Sequence, residues 1–223
     1  MSVEGEPKSF LPPALFIYYN MSELKEYSWW QIPGFFTKEQ CEKVIELGTK
    51  QKTKKAKVGN TEQVVKKIRD AKTAWLEEQW LYDAIAPAIH DACIRANWHI
   101  HWDWMESIQF GTYTKGNFYN WHQDNKPIYT EDCDHENWVG KVRKVSATLF
   151  LNSEYEGGEF QLWETLWYDK DELPSGAVHM PGKQRGVVSA GTLVIFPSHL
   201  HHRVTPVITG TRYSLVIWCL GKP

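Results

Sequence analysis

Apolar positions along this chain change their spacing once, close to residue 98. Before that point they recur at helical intervals, and after it they alternate. Thr37-Lys38-Glu39-Gln40 has the form of a capping box, with Thr37 as N-cap and Gln40 reaching back. Cys41, Val44, Ile45 and Leu47 then form an apolar stripe, which predicts an amphipathic helix ending near Gly48 to Lys50. A second stripe, Trp80, Ile85, Ile89, Cys93 and Ala96, predicts a helical region from Glu77 to Asn97, and Pro87 predicts a kink or a break in it. Ahead of both helices, Trp29 to Ile32 reads as a strand before the Pro33-Gly34 turn. Residues 1–27, with Pro7, Pro12 and Pro13, read as an extended leader, and residues 28–223 as one domain.

From His99 the period is two: His99, His101 and Asp103 alternate with Ile100, Trp102 and Trp104, and strand character continues from Ser107 to Thr112. Further short segments, divided by Gly, Pro and Asn, read as strands at 119–124, 143–151, 158–163, 186–189, 192–196, 201–204 and 212–219. Helices followed by a long series of short strands predict a mainly β fold with N-terminal supporting helices, a double-stranded β-helix or jelly roll. There is no internal repeat and no low-complexity tract.

Composition narrows the partners. The 223 residues suit a single domain with a substantial core. Against 27 acidic residues stand 25 basic ones, so the net charge of −2 offers no field for nucleic acid or an anionic membrane. The lysines from Lys50 to Lys57 read as a solvated helix end rather than a phosphate site. Twelve Trp, ten Tyr and nine Phe exceed what a core needs and point to an aromatic-lined cleft. Cys41, Cys93, Cys133 and Cys219 show no paired spacing, so the expected compartment is the reducing cytoplasm. No apolar signal core opens the chain and no apolar run nears spanning length, so no membrane association is expected. Oligomeric state has no signature in the sequence.

The candidate chemistry lies in histidines beside carboxylates. Two His-x-Asp triplets occur. His101-Trp102-Asp103 sits inside an aromatic strand with no turn residues nearby, and reads as two polar side chains on a solvated face. His122-Gln123-Asp124 follows a strand, a glycine turn and a second strand, at a sheet end where an ion could be held and reached. Alternation along a strand would point positions 122 and 124 the same way. With one more imidazole they would form the two-histidine, one-carboxylate face of non-haem Fe(II) sites, which leaves coordination positions open. His199, His201 and His202 are the candidates for that imidazole. Ten residues beyond His202 lies Arg212, whereas the same step from His199 or His201 reaches Thr209 or Thr211. A hairpin turning at Thr209-Gly210 would bring positions 202 and 212 together. Arg212 would offer a fork of donors to a remote carboxylate. Cys133-Asp134-His135 lacks a fourth partner and reads as ordinary loop.

The order Tyr113, Gly116, Tyr119, His122, Asp124 resembles the start of the catalytic core of prolyl 4-hydroxylase-like Fe(II)/2-oxoglutarate-dependent dioxygenases. Lys144 to Asn152 with Gly157-Gly158-Glu159 resembles that family's central strand and Gly-Gly-Glu turn, and His202 to Val207 through Gly210-Thr211-Arg212 resembles the closing signature of its PKHD-type branch. The similarity extends from about residue 28 to 220. It implies His122, Asp124 and His202 as Fe(II) ligands, with 2-oxoglutarate and O₂ as cosubstrates. Arg212, Tyr113 and Thr148 would then lie around the 2-oxoglutarate, and ascorbate is a further cofactor the resemblance suggests. It also implies hydroxylation of a C–H bond with release of succinate and CO₂, the substrate being a prolyl or other residue of a peptide or protein. Hydroxylation of a free amino acid or other small molecule is the alternative. A non-catalytic jelly-roll binding module is disfavoured, because a pure binder has no need of all four groups. Two long polar loops carrying aromatic residues, Asn125 to Lys141 and Thr165 to Arg185, are the candidate lids.

Overall fold

The computed structural model describes residues 27–52, 54–55, 69–125, 127–131, 133, 135–163, 177–179 and 188–223. All but Tyr27 of the expected leader, Thr53, Ala56 and Lys57 of the lysine-rich stretch, Asp134 and nearly all of the loop from 165 to 185 lie outside the described residues.

Helix α1 (Lys38–Lys50) begins with the expected capping box: the Gln40 amide reaches the Thr37 hydroxyl at 3.3 Å, and the Thr37 amide donates to the Gln40 side chain at 2.8 Å. Helix α2 (Gln79–Arg95) runs unbroken through Pro87, so the proline does not divide it into two shorter helices. Pro87 is exposed, while Leu81, Ile85, Ile89 and Ala92 on the opposite side are fully buried. Anchored by that apolar face, the helix tolerates a loss of about 3 kcal/mol from the missing amide and the ring clash. Among the described residues no helix is long and apolar enough to cross a membrane.

Two antiparallel sheets form the body of the molecule. The larger has the order β1 (Trp30–Ile32), β12 (Leu193–Pro197), β8 (Val142–Phe150), β15 (Arg212–Gly221), β6 (Ile108–Tyr113), β4 (Lys72–Leu76) and β2 (Lys54–Lys55), with β5 (Trp104–Met105) added on β15. The smaller has the order β11 (Ala177–His179), β10 (Phe160–Trp163), β13 (His202–Val204), β7 (Phe118–His122) and β3 (Arg69–Asp70). A third pair, β14 (Val207–Gly210) with β9 (Tyr155–Gly157), closes one end.

β15 explains how the layers are built. It pairs with β8 on one side and β6 on the other, so it lies inside the larger sheet. Its residues alternate. Leu215, Ile217 and Cys219 join α1 and α2 in one core, whereas Arg212, Ser214, Val216 and Trp218 face the space between the sheets. A second core of Phe150, Phe160, Leu162, Val194, Phe196 and Val204 fills that space. Cys41, Cys93 and Cys219 all belong to the helix-side core and are unpaired, and burial raises each thiol, Cys93 to about 11.

The hairpin expected between positions 202 and 212 is absent. His202 lies on the smaller sheet, Arg212 on the larger, and β14 between them pairs with β9 instead. The cause is local: Gly157 has φ +69° and a β-carbon there would lie 2.3 Å from the Pro206 carbonyl oxygen, so a close backbone crossing captures the intervening segment. The strand expected to continue through Asp124 also stops at His122.

Helix α1 packs so closely on the larger sheet that a β-carbon at Gly48 would stand 2.4 Å from Phe110 Cγ. Gly48→Ala is therefore expected to lower stability by about 1–3 kcal/mol, although alanine favours an isolated helix by about 1 kcal/mol. Urea unfolding measures the change, and an unaltered or raised midpoint would show that Phe110 can move aside.

Candidate metal centre

His122, Asp124 and His202 converge: one ligand atom from each lies within 4.8 Å of the others. The two imidazoles meet because β7 and β13 are paired, with His202 opposite His122 and the ring centres 4.1 Å apart. Asp124 arrives by another route than strand alternation. Its amide and that of Asn125 both donate to the Ser198 carbonyl, at 2.9 and 3.1 Å. Ser198 in turn is tied to β8 by Ser198 N to Lys144 O at 3.0 Å and by a 2.8 Å contact with the Ser146 hydroxyl. The segment leading into β13 thus holds the carboxylate against the end of β7.

Hydrogen bonding sets which ring nitrogen is bare. His122 Nδ1 lies 2.7 Å from the Asn120 carbonyl oxygen and His202 Nδ1 lies 3.0 Å from that of Leu200. A carbonyl can only accept, so each Nδ1 carries the hydrogen and each Nε2 keeps its lone pair. Those Nε2 atoms stand 3.8 Å from Asp124 Oδ1 and 3.4 Å from Oδ2. Oδ2 is buried and has no hydrogen-bond partner among the described residues. Three acceptors therefore face one point with no donor among them, an arrangement that a cation stabilises. Burial and then the neighbouring His202 push His122 down to about 3, which keeps it a neutral ligand. Burial opposes ionisation of Asp124, yet His202 and His122, whenever they carry a second proton, and Arg143 behind them hold its carboxyl well below the usual range.

The same cavity contains Arg212, Tyr113 and Thr148. Arg212 is 1% exposed, with its guanidinium 5.3 Å from the Tyr113 ring centre and 5.1 Å from that of Phe150. Nη1 donates to Ser214 Oγ at 2.8 Å, while Nε and Nη2 have no hydrogen-bond partner among the described residues. A buried cation with idle donors is a site for a carboxylate. Gly158 makes room for it, since a β-carbon there would come within 3.1 Å of Arg212 Cδ.

The other histidines fall elsewhere. His199 and His201 are exposed; the His199 carbonyl accepts from the Gln123 side chain at 2.5 Å. His101 and Asp103 are also exposed, in a loop rather than the outer face of a strand, and Asp103 pairs with Lys141 at 2.7 Å.

Several cavity residues escaped the sequence reading. Arg69, in the short strand β3, is buried with its guanidinium 4.7 Å from the Tyr119 ring, and it donates to Gln109 at 2.5 Å. Tyr119 stacks on His122 at 3.5 Å, and burial pushes its phenol up to about 12. Trp218 lies under Arg143, 3.7 Å from the guanidinium, and Arg143 forms a two-pronged ion pair with the buried Glu106 at 2.5 and 2.6 Å. Tyr129, from the loop after Asp124, donates to the same Glu106 at 3.2 Å. Ser214 and Trp218 could have been found by stepping two residues at a time from Arg212; Arg69 and Glu106 carry no local signal.

A family model described as the 2OG-Fe(II) oxygenase superfamily matches residues 108–220. A PKHD-type hydroxylase of Shewanella oneidensis is 36% identical over 112 residues, which is 49% of this chain and 40% of the relative. One of Xylella fastidiosa is 30% identical over a stretch of the same length, 42% of that protein. The match thus spans about two fifths of the curated relatives' length. Among solved structures, a Pseudomonas putida prolyl-4-hydroxylase aligns with a TM-score of 0.58 at 20% identity, over 86% of this chain and 92% of that one. A viral collagen prolyl hydroxylase from Paramecium bursaria Chlorella virus-1, solved with 2OG, aligns at 0.59 and 18% identity, over 87% and 97%. A Trichoplax adhaerens prolyl hydroxylase, in complex with a hypoxia inducible factor peptide fragment, aligns at 0.56 and 17%, over 86% and 83%. At these identities the likeness is one of fold, and it agrees with the expected double-stranded β-helix.

If the three convergent acceptors are the metal ligands, losing one should weaken Fe(II) binding far more than losing the exposed triplet. Outer-shell changes alone weaken metal sites by about 10–100-fold, so His122→Ala or Asp124→Asn is expected to exceed about a hundredfold, with His101→Ala unchanged. Anaerobic Fe(II) titration on the folded variants decides it, and the reverse pattern would move the site to 101 and 103.

Proposed function

The chain belongs to the 2OG-Fe(II) oxygenase superfamily, and from that premise we propose that it is a dioxygenase that hydroxylates a C–H bond of a prolyl or other residue in a peptide or protein, with release of succinate and CO₂. The observation that carries the reading is the pairing, in one cavity, of the His122–Asp124–His202 cluster with a buried Arg212 whose Nε and Nη2 lack partners. An iron ion bound by the three acceptors would supply the oxidising chemistry and a docking point for the keto acid. Arg212 would take the remote carboxylate of 2-oxoglutarate, with the Ser214 hydroxyl holding Nη1 in place. Tyr113, 2% exposed and opposite Arg212 in the β6–β15 register, would close that end against water, and Thr148 would form part of the wall. Tyr119, stacked on His122, would remain protonated and fix the plane of that ligand.

A polypeptide substrate is supported by the structural neighbours, which are prolyl hydroxylases and in one case carry a bound peptide fragment. Four unpaired cysteines fit a reducing compartment such as the cytoplasm.

Arg212→Ala would leave the incoming carboxylate without its counter-charge, a loss of about 3–5 kcal/mol for a buried pair and on the order of a hundredfold or more in affinity. The 2-oxoglutarate requirement of the variant is therefore expected to rise steeply while Fe(II) affinity stays close to wild type. Arg212→Lys should recover part of the loss, since a point charge returns without the fork. Paired titrations with 2-oxoglutarate and Fe(II), ascorbate present in the turnover assay, test this. Wild-type affinity for 2-oxoglutarate in Arg212→Ala would overturn the assignment.

A further inference from the structure

A second hollow, of about 440 Å³, lies outside the metal cavity, between the start of α2, strand β5 and the 3₁₀ turn Glu136–Trp138. Its walls are flat and its charge is negative. Tyr82, Trp102, Trp104 and Trp138 supply the rings, and Glu77 and Asp103 the carboxylates. The rings are braced from behind or beside: His90 stacks on Trp102 at 4.0 Å and 15°, and His135 stacks on Trp138 at 5.8 Å and 15° while touching Trp104 at 5.2 Å. One cation already rests on this wall. Lys141 places its ammonium 2.7 Å from Asp103 and 5.8 Å from the Trp104 ring centre. Glu77 is exposed, has no cation beside it in any ion pair among the described residues, and accepts one hydrogen bond, from Ser107 at 2.9 Å. In the adjoining loop Glu131 and Glu136 are exposed and add two further carboxylates.

Aromatic faces with a carboxylate beside them suit a flat, weakly hydrated cation. A neutral sugar would use the rings and leave the excess negative charge unanswered. A chain of side-chain contacts links the hollow to the metal cavity. Trp138 packs on Tyr129 at 5.2 Å, Tyr129 bonds to Glu106, Glu106 holds Arg143, and Arg143 covers Trp218, which lines that cavity. We infer that this hollow is an accessory subsite for a cationic side chain of the polypeptide substrate, an arginine, seated between the indole rings with Glu77 as its counter-charge. The inference rests on the polypeptide reading above and narrows it to chains with a basic residue near the hydroxylated one.

The test is calorimetric titration of the full chain, without Fe(II) or 2-oxoglutarate, with N-acetyl-arginine amide and with its neutral isostere N-acetyl-citrulline amide. Arginine amide is expected to bind about tenfold more tightly, the scale of a partly desolvated cation–π contact with a nearby carboxylate. Glu77→Gln and Trp104→Ala should each erase most of that preference, and Glu42→Gln on the far helix should not. Equal binding of the two amides, or binding of neither, would overturn the subsite. Either result would leave the Arg212 titrations unaffected, so failure here is separable from failure of the proposed reaction.

Discussion

Arg212 sits at the start of a strand hydrogen-bonded on both sides, and its guanidinium is sealed between two sheets. A charge so placed cannot relax into solvent without parting the sandwich, and it has the Ser214 and Tyr155 hydroxyls and two aromatic faces for company. Much of the cavity is arranged around that fact. Gly158 gives up a side chain to admit the Arg212 stem, Tyr155 lies against the guanidinium, and Thr148 of the neighbouring strand β8 lines the same cavity. The rigidity that makes the charge expensive also makes it well aimed.

The three acceptors at the other end show the same logic with the sign reversed. Asp124 is kept ionised in a place where nothing donates to its Oδ2, and both histidines are locked in the tautomer that turns a lone pair inward. Tyr119 and Arg69 line the same cavity, stacked in turn on His122, and on the loop side the Arg143–Glu106 pair is neutral as a unit. The loop after Asp124 is fastened to that pair through Tyr129, and Tyr129 exchanges backbone bonds with Lys141 and Gly140, so its two ends are drawn together beside the cavity.

How much of this could be read from the residues depended on how local the cause was. The capping box at Thr37 and Gln40 involves neighbours in the chain and was legible as written. His122 and Asp124 were legible as a pair, although the reason was incomplete: the strand ends between them and Ser198, more than seventy positions on, brings the carboxylate in. The ten-residue step from His202 to Arg212 led to the right cavity through the wrong topology, because the strand between them is taken by β9. Pro87 does not split its helix, because the missing amide weighs less than the buried opposite face. Strands β3 and β4 went unread, since Arg69, Asp70 and Lys72 break the alternation; Arg69 is polar because it faces the cavity, which no local pattern announces.

The separation of the two cores has a bearing on durability. Iron sites that handle O₂ can release partly reduced oxygen, and the side chain most vulnerable to it is a thiolate. Cys41, Cys93 and Cys219 lie on the helix side of the larger sheet, and their thiols are held protonated by burial. An oxidant leaving the cavity would have to cross a hydrogen-bonded β-layer to meet sulfur in its least reactive form. The partition that builds the fold thus also keeps its oxidisable sulfur away from the chemistry, leaving the partly exposed Cys133 as the thiol in reach of solvent.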